Sequence, residues 1–265
     1  MLRQDLPPLH PSAKRSVWRM DDHAGDADKE FQSVRRVILE AYDYTCAYCS
    51  QTSEKYQEVH HKDDDHKNNA KSNLVCTCPL CHQVFHIGLA GMKDGADIAY
   101  LPELTQAEIN QLALVTWLFT ETDDGRFDSA DDQRAFAKFH ALAKSIQGLF
   151  ENRRGTVQLR LKEALKKTTF PQELLPKIKF SHVSPTLIAT VFMQLDEDTY
   201  ERRGELLGGL RIIPRPVRFK KQIAHWSAET DRTLPVSTWH KLLGDADLTN
   251  LVVNANNNIK TMLEA

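Results

Sequence analysis

Residues 45–88 read TCAYCSQTSEKYQEVHHKDDDHKNNAKSNLVCTCPLCHQVFHIG and contain all five cysteines of the chain. Two Cys-x-x-Cys pairs bound this stretch, Cys46 with Cys49 and Cys78 with Cys81. Each pair presents two thiolates to one tetrahedral ion, and zinc prefers such closed sulfur sites. The alternative is a set of buried free cysteines that pack like small hydrophobic side chains. Independent core cysteines have no reason to pair twice at the same spacing, so we predict a structural zinc site.

A second pattern, built from histidine, lies between and beside the cysteine pairs. An alternating run that ends at His60 and His61 predicts a short strand, and Asn73 begins a second one. The segment that follows predicts a helix, on which His82 and His86 are four residues apart and therefore share one face. The sequence thus predicts a strand–turn–strand–helix unit with one histidine pair on its first strand and another on its helix.

In this order and spacing the unit resembles the ββα-metal fold of the HNH nuclease superfamily. The resemblance implies that His60, His82 and His86 bind a divalent metal ion. It also implies that His61 activates a water molecule as general base, while a hydrogen bond from Asn73 holds its imidazole in one tautomer. The residue types suit this chemistry, because neutral imidazoles leave a metal Lewis-acidic and a histidine accepts a proton near neutral pH.

The composition is that of a globular chain with a small net charge. The 265 residues and the net charge of -2 suit one large or two small domains. No apolar run reaches the length that crosses a bilayer, and the first residues lack the apolar core of a signal peptide. Five cysteines, four of them in metal-binding spacing, favour a reducing compartment. We therefore expect a soluble, cytoplasmic protein, and the near-neutral charge disfavours obligate nucleic-acid binding.

The rest of the chain predicts helices separated by Gly, Pro and Asp. A capping box at Thr105 and Glu108 begins one helix, and Phe136, Phe139 and Ala143 predict the core side of the next. The predicted fold class is α+β and mostly helical, with a small HNH-like ββα zinc module embedded in a helical domain and a helical C-terminal extension. We predict four segments: an N-terminal arm at 1–25, the HNH-like zinc-binding domain at 26–121, a helical domain at 122–230 and the extension at 231–265.

Six segments, three of them wholly outside residues 45–88, carry a resemblance to one family along most of the chain. They are SVWRM (16–20), RRVILEAYDYTCAYCSQ (35–51), KYQEV (55–59), NNAKSNLV (68–75), AYLPELTQAEIN (99–110) and LRIIPRPVRFKKQIAHW (210–226). In this order the chain resembles the IcmJ/DotN proteins of type IVB secretion systems from about residue 16 to residue 226. The best-known member of that family has lost most of the histidines that this chain keeps, and the segment after Asp231 has no recognised counterpart.

The resemblance implies a component of a type IVB secretion coupling complex, peripheral at the cytoplasmic face of the inner membrane. Its partners would be the C-terminal tail of the DotL-like coupling ATPase and other coupling-complex proteins, and it would support effector protein recruitment. In this adaptor role the zinc shapes a surface on which the tail docks in a groove. We favour this non-enzymatic role, because a motif alone does not establish chemistry.

The alternative function is a metal-dependent HNH endonuclease that hydrolyses DNA phosphodiesters. Its residue inventory is complete, yet Glu58, Asp63, Asp64 and Asp65 crowd the candidate base, and carboxylates repel a phosphodiester. A second zinc at the histidines, with Asp64 or Asp65 as fourth ligand, is a further alternative. For Cys76 we expect an ordinary buried thiol.

Overall fold

The computed structural model describes residues 6–13, 24–65, 68–122, 127, 129–178, 182–233 and 238. The helices of this part of the chain are α1 (Ala24–Ala41), α2 (Pro79–Phe85), α3 (Ile87–Met92), α4 (Gln106–Thr120), α5 (Ala130–Asn152), α6 (Val157–Lys166), α7 (Pro185–Phe192), α8 (Glu197–Glu201), α9 (Arg203–Leu207) and α10 (Lys220–Thr233). Its strands are β1 (Glu58–His61), β2 (Leu74–Thr77), β3 (Ala96–Tyr100) and β4 (Leu210–Pro214), and short 3-10 turns lie at Lys71–Asn73, Gln172–Lys177 and Pro216–Phe219. The prediction of a mostly helical α+β fold is confirmed.

The chain divides into two compact units, each built from two stretches of sequence. The first contains Met1–Gln111 and Thr156–Arg218, and the second contains Leu112–Gly155 and Phe219–Ala265. Among the described residues, no helix is both long enough and apolar enough to cross a membrane. The four segments drawn from the sequence stay a prediction.

The ββα unit of the first compact unit forms as the sequence predicts, from an antiparallel β1–β2 pair and α2. Val59 pairs with Cys76 and His60 with Val75. Because successive strand residues face opposite sides, Val59, Cys76 and Leu74 pack together with Ile38 and Leu39 of α1. The opposite face of β1, which carries His60, lies against α2.

A larger core joins α2 and α3 to the helices that follow. Its largest fully buried side chains include Ile87, Leu161, Ile188, Phe192 and Leu210. The β3–β4 pair crosses this core, with Ile98 opposite Ile212. The helices α3 and α7 approach so closely that a Cβ atom on Gly91 would lie 2.2 Å from Thr186 Oγ1. Only glycine fits at that contact.

The described part of the N-terminal arm, residues 6–13, has no regular secondary structure but enters the core. The Ser12 backbone N–H donates to Val84 O (2.9 Å), and the Ile87 N–H donates to Ser12 O (3.0 Å). The Arg203 guanidinium donates to Ser12 Oγ at 2.9 and 3.1 Å. This segment therefore fastens the end of α2 to the beginning of α3. Residues 1–5 and 14–23 of the predicted arm, and 234–237 and 239–265 of the predicted extension, lie outside the described residues.

The second compact unit has an aromatic core of its own. Phe119 stacks on Phe139 (ring centroids 5.1 Å apart) and contacts Phe136 at a tilt. Ala143 completes the side of α5 that the sequence predicted to be buried. Trp117 stacks on Phe219 at 5.6 Å. The aromatic stripe is thus structural, as predicted.

Candidate metal centres

The four cysteines of the two Cys-x-x-Cys pairs converge on one buried point. Their Sγ atoms all lie within 4.8 Å of one another, and none of the four residues is more than 5% exposed. Cys49 Sγ and Cys78 Sγ are 3.6 Å apart. Two sulfurs bound at about 2.3 Å to one tetrahedral ion lie about 3.8 Å apart. The cluster can therefore hold a metal ion with little rearrangement.

Local backbone contacts explain why the two Cys-x-x-Cys knuckles, Cys46–Cys49 and Cys78–Cys81, meet although they are distant in sequence. The Ala47 N–H donates to Cys76 O (2.9 Å), which attaches the first knuckle to β2. Cys78 is the N-cap of α2, and its Sγ accepts a hydrogen bond from the Cys81 N–H at 3.4 Å. The second knuckle lies at the beginning of α2, directly after β2. The attachment of the first knuckle to β2 therefore brings the two knuckles together.

Two side chains of α4 complete the surroundings of the cysteine cluster. Asn110 is 1% exposed, and its Nδ2 donates to Cys81 Sγ at 3.3 Å. Gln111 Nε2 donates to Cys49 O at 2.7 Å. Hydrogen bonds of this kind stabilise a negatively charged sulfur and orient a metal ligand. The sequence analysis did not assign these two residues a role.

The electrostatics of the cluster favour a bound cation. Hydrogen bonds from the thiols of Cys49, Cys78 and Cys81 hold the pKa of Cys46 far below its usual range. Burial raises the pKa of Cys78, and the hydrogen bond with Cys46 raises that of Cys81. One buried thiolate is stabilised by neighbouring S–H groups, while each further thiolate adds like charge to the same apolar volume. Full deprotonation of all four sulfurs therefore requires a cation among them.

A second group of ligand atoms comes from three histidines. Ligand nitrogens of His60, His82 and His86 all lie within 4.8 Å of one another. His82 Nε2 and His86 Nε2 are 3.2 Å apart. His60 is buried on β1 and stacks on Phe85, with ring centroids 4.0 Å apart. The structure thus brings together the three residues that the HNH resemblance grouped as metal ligands.

His86 reaches this position differently from the sequence-based expectation. The sequence placed His82 and His86 on one helix, but α2 ends at Phe85. His86 is the junction with α3 and has φ -130° and ψ 51°. The Ser12 backbone bonds to the residues on both sides of that junction, Val84 and Ile87. A break in the helix, fastened from the N-terminal segment, therefore turns the His86 ring toward His82.

His61 has different surroundings from those of the three-histidine cluster. Its ring stacks on Phe31 of α1 at 5.3 Å, and its Nε2 lies 3.1 Å from Asn69 Oδ1. The expected partner, Asn73, instead holds the β1–β2 loop: its Nδ2 donates to Asp63 Oδ1 (2.8 Å) and to Asn68 O (2.9 Å). The asparagine at His61 Nε2 is thus Asn69, four residues before Asn73 in the same polar loop.

The acidic residues near the candidate base also have structural roles. Partial burial raises the pKa of Asp63, but hydrogen bonds from Asn68, the Asp65 N–H and Asn73 outweigh it, so the pKa lies below its usual value. Glu58 Oε2 lies 2.6 Å from His82 Nδ1. Among the described residues, the metal-ligand group contains the three histidines without Asp64 or Asp65.

These observations define the class of protein: a mostly helical α+β chain with a ββα unit that carries two clusters of metal-ligand side chains. No family model matches the chain. Over 218 residues it is 28% identical to the type 4 apparatus protein DotN of Legionella pneumophila subsp. pneumophila, strain Philadelphia 1. The match covers 82% of this chain and 87% of that protein. This similarity confirms the resemblance to the IcmJ/DotN proteins that the sequence segments carry.

Proposed function

We propose that this protein is a zinc-stabilised adaptor subunit of a type IVB secretion coupling complex. The observation that carries the proposal is its similarity to the type 4 apparatus protein DotN over most of both chains. A match that extends far beyond the metal-ligand residues favours a shared role over a shared motif. The same complex would hold the protein at the cytoplasmic face of the inner membrane.

Zinc at Cys46, Cys49, Cys78 and Cys81 would stabilise the ββα unit. A closed four-sulfur site leaves no coordination position for a substrate, which is typical of structural zinc. Such sites contribute about 10–16 kcal/mol of apparent binding free energy to folding. The ion would tie the loop after α1 to the beginning of α2, while Asn110 and Gln111 attach α4 to the same sulfurs and knuckle. Together, the ion and these hydrogen bonds would keep the surrounding surface in a fixed shape that a partner can bind.

The partner we propose is the C-terminal tail of the DotL-like coupling ATPase. By binding this tail, the protein would support the recruitment of effector proteins. A tail of this kind binds as an extended or helical segment laid in a groove. This part of the proposal rests on the resemblance to the IcmJ/DotN proteins and the similarity to DotN.

The experiment is a binding titration between the zinc-loaded full chain and a labelled tail peptide from the cognate coupling ATPase. We expect saturable binding that a scrambled peptide does not reproduce. His61→Ala should bind the tail like the wild type, because an adaptor does not use a general base. If a folded, zinc-loaded chain does not bind the tail peptide, the proposed partner is wrong.

A second candidate function, hydrolysis of DNA phosphodiesters, is favoured by one specific observation. The three histidine nitrogens converge and leave His82 and His86 partly exposed. A divalent ion held there would supply Lewis acidity, while His61, placed by Asn69 and Phe31, would accept a proton from water. The test is cleavage of plasmid DNA with added divalent ions. A nuclease role requires that His61→Ala abolish cleavage while fold and tail binding stay unchanged.

A further inference from the structure

The N-terminal segment places a histidine ring directly against α9. A Cβ atom on Gly204 would lie 2.1 Å from His10 Nδ1 and 2.2 Å from its Cε1, so the ring lies over the glycine backbone. The preceding residue, Arg203, donates from Nε and Nη2 to Ser12 Oγ at 3.1 and 2.9 Å. Ser12 Oγ in turn donates to His10 O at 2.8 Å. One small network therefore holds an imidazole and a guanidinium close together.

A second guanidinium, that of Arg211, comes from β4. Its Nε donates to Leu104 O at 2.9 Å and its Nη1 to Leu210 O at 3.1 Å, while Nη2 takes part in neither bond. Arg203 Nη1 donates to Tyr200 O at 3.0 Å. Among the described residues, the hydrogen bonds of both guanidiniums end on neutral oxygens. Such acceptors orient a guanidinium and leave its charge in place.

The electrostatics of this region are positive. Burial lowers the pKa of His10, and the charges of Arg203 and Arg211 lower it further. Burial also lowers the pKa of Arg211, against the opposing charge of Glu103. Arginine nevertheless stays charged in proteins. Two positive charges thus lie in a partly buried place beside a neutral ring, where a bound anion would be stabilised.

We propose that His10, Arg203 and Arg211 form a binding site for the phosphate group of a phosphate monoester. Guanidinium N–H groups match the oxygens of a phosphate in geometry and charge. A phosphate monoester carries close to two negative charges at neutral pH, which balances the two arginines. The ligand would tie the N-terminal segment to α9 and β4. The site lies outside both metal-ligand clusters, and the inference does not depend on the adaptor role.

The experiment is a calorimetric titration of the zinc-loaded full chain with sodium phosphate, near neutral pH and at constant ionic strength. We expect saturable binding of one equivalent. Acetate, which has one charge, should bind at least about 10-fold more weakly, because it engages fewer charged hydrogen bonds. His82→Ala should bind phosphate like the wild type, which separates this site from the three-histidine cluster. Absence of saturable binding, or equal binding of acetate, would overturn the site.

The contribution of charge is tested by Arg211→Gln. Loss of hydrogen bonds from a charged donor should lower the phosphate affinity about 10- to 100-fold. The matched control is Arg36→Gln, which removes the same charge from α1, where Arg36 pairs with Glu40. This control should bind phosphate like the wild type. Wild-type affinity in a folded Arg211→Gln chain would overturn the site.

The contribution of the His10 ring is tested without any change in charge. Gly204→Ala introduces a Cβ atom where the ring lies, so the ring must move and the phosphate affinity should fall. Gly148→Ala, whose added Cβ would have nothing within 4 Å, is the matched control in another helix and should leave the affinity unchanged. Thermal unfolding without phosphate shows whether each variant is folded. Unchanged affinity in folded Gly204→Ala would remove His10 from the site.

Two esters then distinguish the source of the phosphate group. Glycerol 3-phosphate represents a small metabolite, and a short phosphoserine peptide, compared with its unphosphorylated form, represents a modified side chain. The tighter binder identifies the source, and Arg211→Gln should weaken both. Binding of inorganic phosphate without binding of either ester would overturn the assignment to a monoester.

Discussion

The two clusters of metal-ligand side chains lie in one ββα unit, yet the protein encloses them differently. The four sulfurs are buried, come from two knuckles joined through β2, and receive an N–H donor from α4. Two of the three imidazoles, those of His82 and His86, are partly exposed, and the Glu58 carboxylate contacts the His82 ring. A closed site with all ligands from the protein suits a structural ion, and an incomplete, accessible set suits an exchangeable one. The burial of the ligand atoms, more than their chemical type, distinguishes a site that stabilises the fold from a site that can exchange its ion.

The largest effect should come from opening the closed site. Cys78→Ser removes a ligand that is also the N-cap of α2. We expect loss of the zinc and unfolding of residues 46–81, because the ion contributes on the order of 10 kcal/mol. Hydrogen exchange of amides in that region, together with zinc content, measures both.

The matched control for that substitution is the fifth cysteine. Cys76 is as buried as Cys78 but packs with Val59 and Leu74 on the α1 side of β2. Cys76→Ser should keep one zinc per chain and lose only the stability that a buried hydroxyl costs, about 1–3 kcal/mol. Loss of zinc from this variant would mean that the metal site involves more than the two Cys-x-x-Cys pairs.

A smaller effect should come from the α4 donor to the sulfur cluster. Asn110→Leu keeps the volume of a buried side chain but removes the N–H that contacts Cys81 Sγ. We expect about a 10- to 100-fold weaker zinc affinity with the fold retained, measured by competition with a chelator. Thr116→Val is the control on the same helix, because the Thr116 hydroxyl bonds to Ala113 O. Equal zinc affinity in Asn110→Leu and wild type would show that the donor is dispensable.

A still smaller effect on stability should come from the capping box of α4, the helix that contacts the cysteine cluster. Glu108 accepts from the Thr105 N–H at 2.7 Å, and that bond lowers the pKa of the Glu108 carboxyl. A lowered pKa means that the stabilisation is present above the unfolded-state pKa and is lost as the pH falls through the folded-state value. Glu108→Ala removes the carboxylate that accepts this bond, so it should cost about 1 kcal/mol and remove this acid-dependent part. A pH series of unfolding curves for both chains measures the difference.

The smallest effect on stability should come from the open site. His82→Ala removes an imidazole that is partly exposed and whose partner, Glu58, is itself in contact with solvent. We expect an unchanged zinc content at the cysteines and a change in unfolding free energy within about 1 kcal/mol. Thermal unfolding without added metal is the measurement. Unfolding of this variant would mean that the histidines, like the cysteines, are needed for the fold.

The sequence by itself determined the local features of this protein. The repeated Cys-x-x-Cys spacing, the capping box at Thr105 and Glu108, and the aromatic stripe of α5 all depend on residues a few positions apart. Helix and strand periods convert such spacings directly into shared faces. The same local reasoning predicts the ββα unit, whereas the six sequence segments carry the resemblance to the IcmJ/DotN proteins.

Only the tertiary structure decided how distant residues serve the two sites. The strand Leu210–Pro214 pairs with β3 across more than a hundred residues of sequence. Three further contacts depend in the same way on packing: Asn110 with the sulfur cluster, Ser12 with the residues beside His86, and Asn69 with His61. No periodicity encodes these contacts, because they arise where separate elements meet. The sequence therefore predicts the candidate metal ligands, and the folded chain decides which cluster is closed and which stays open.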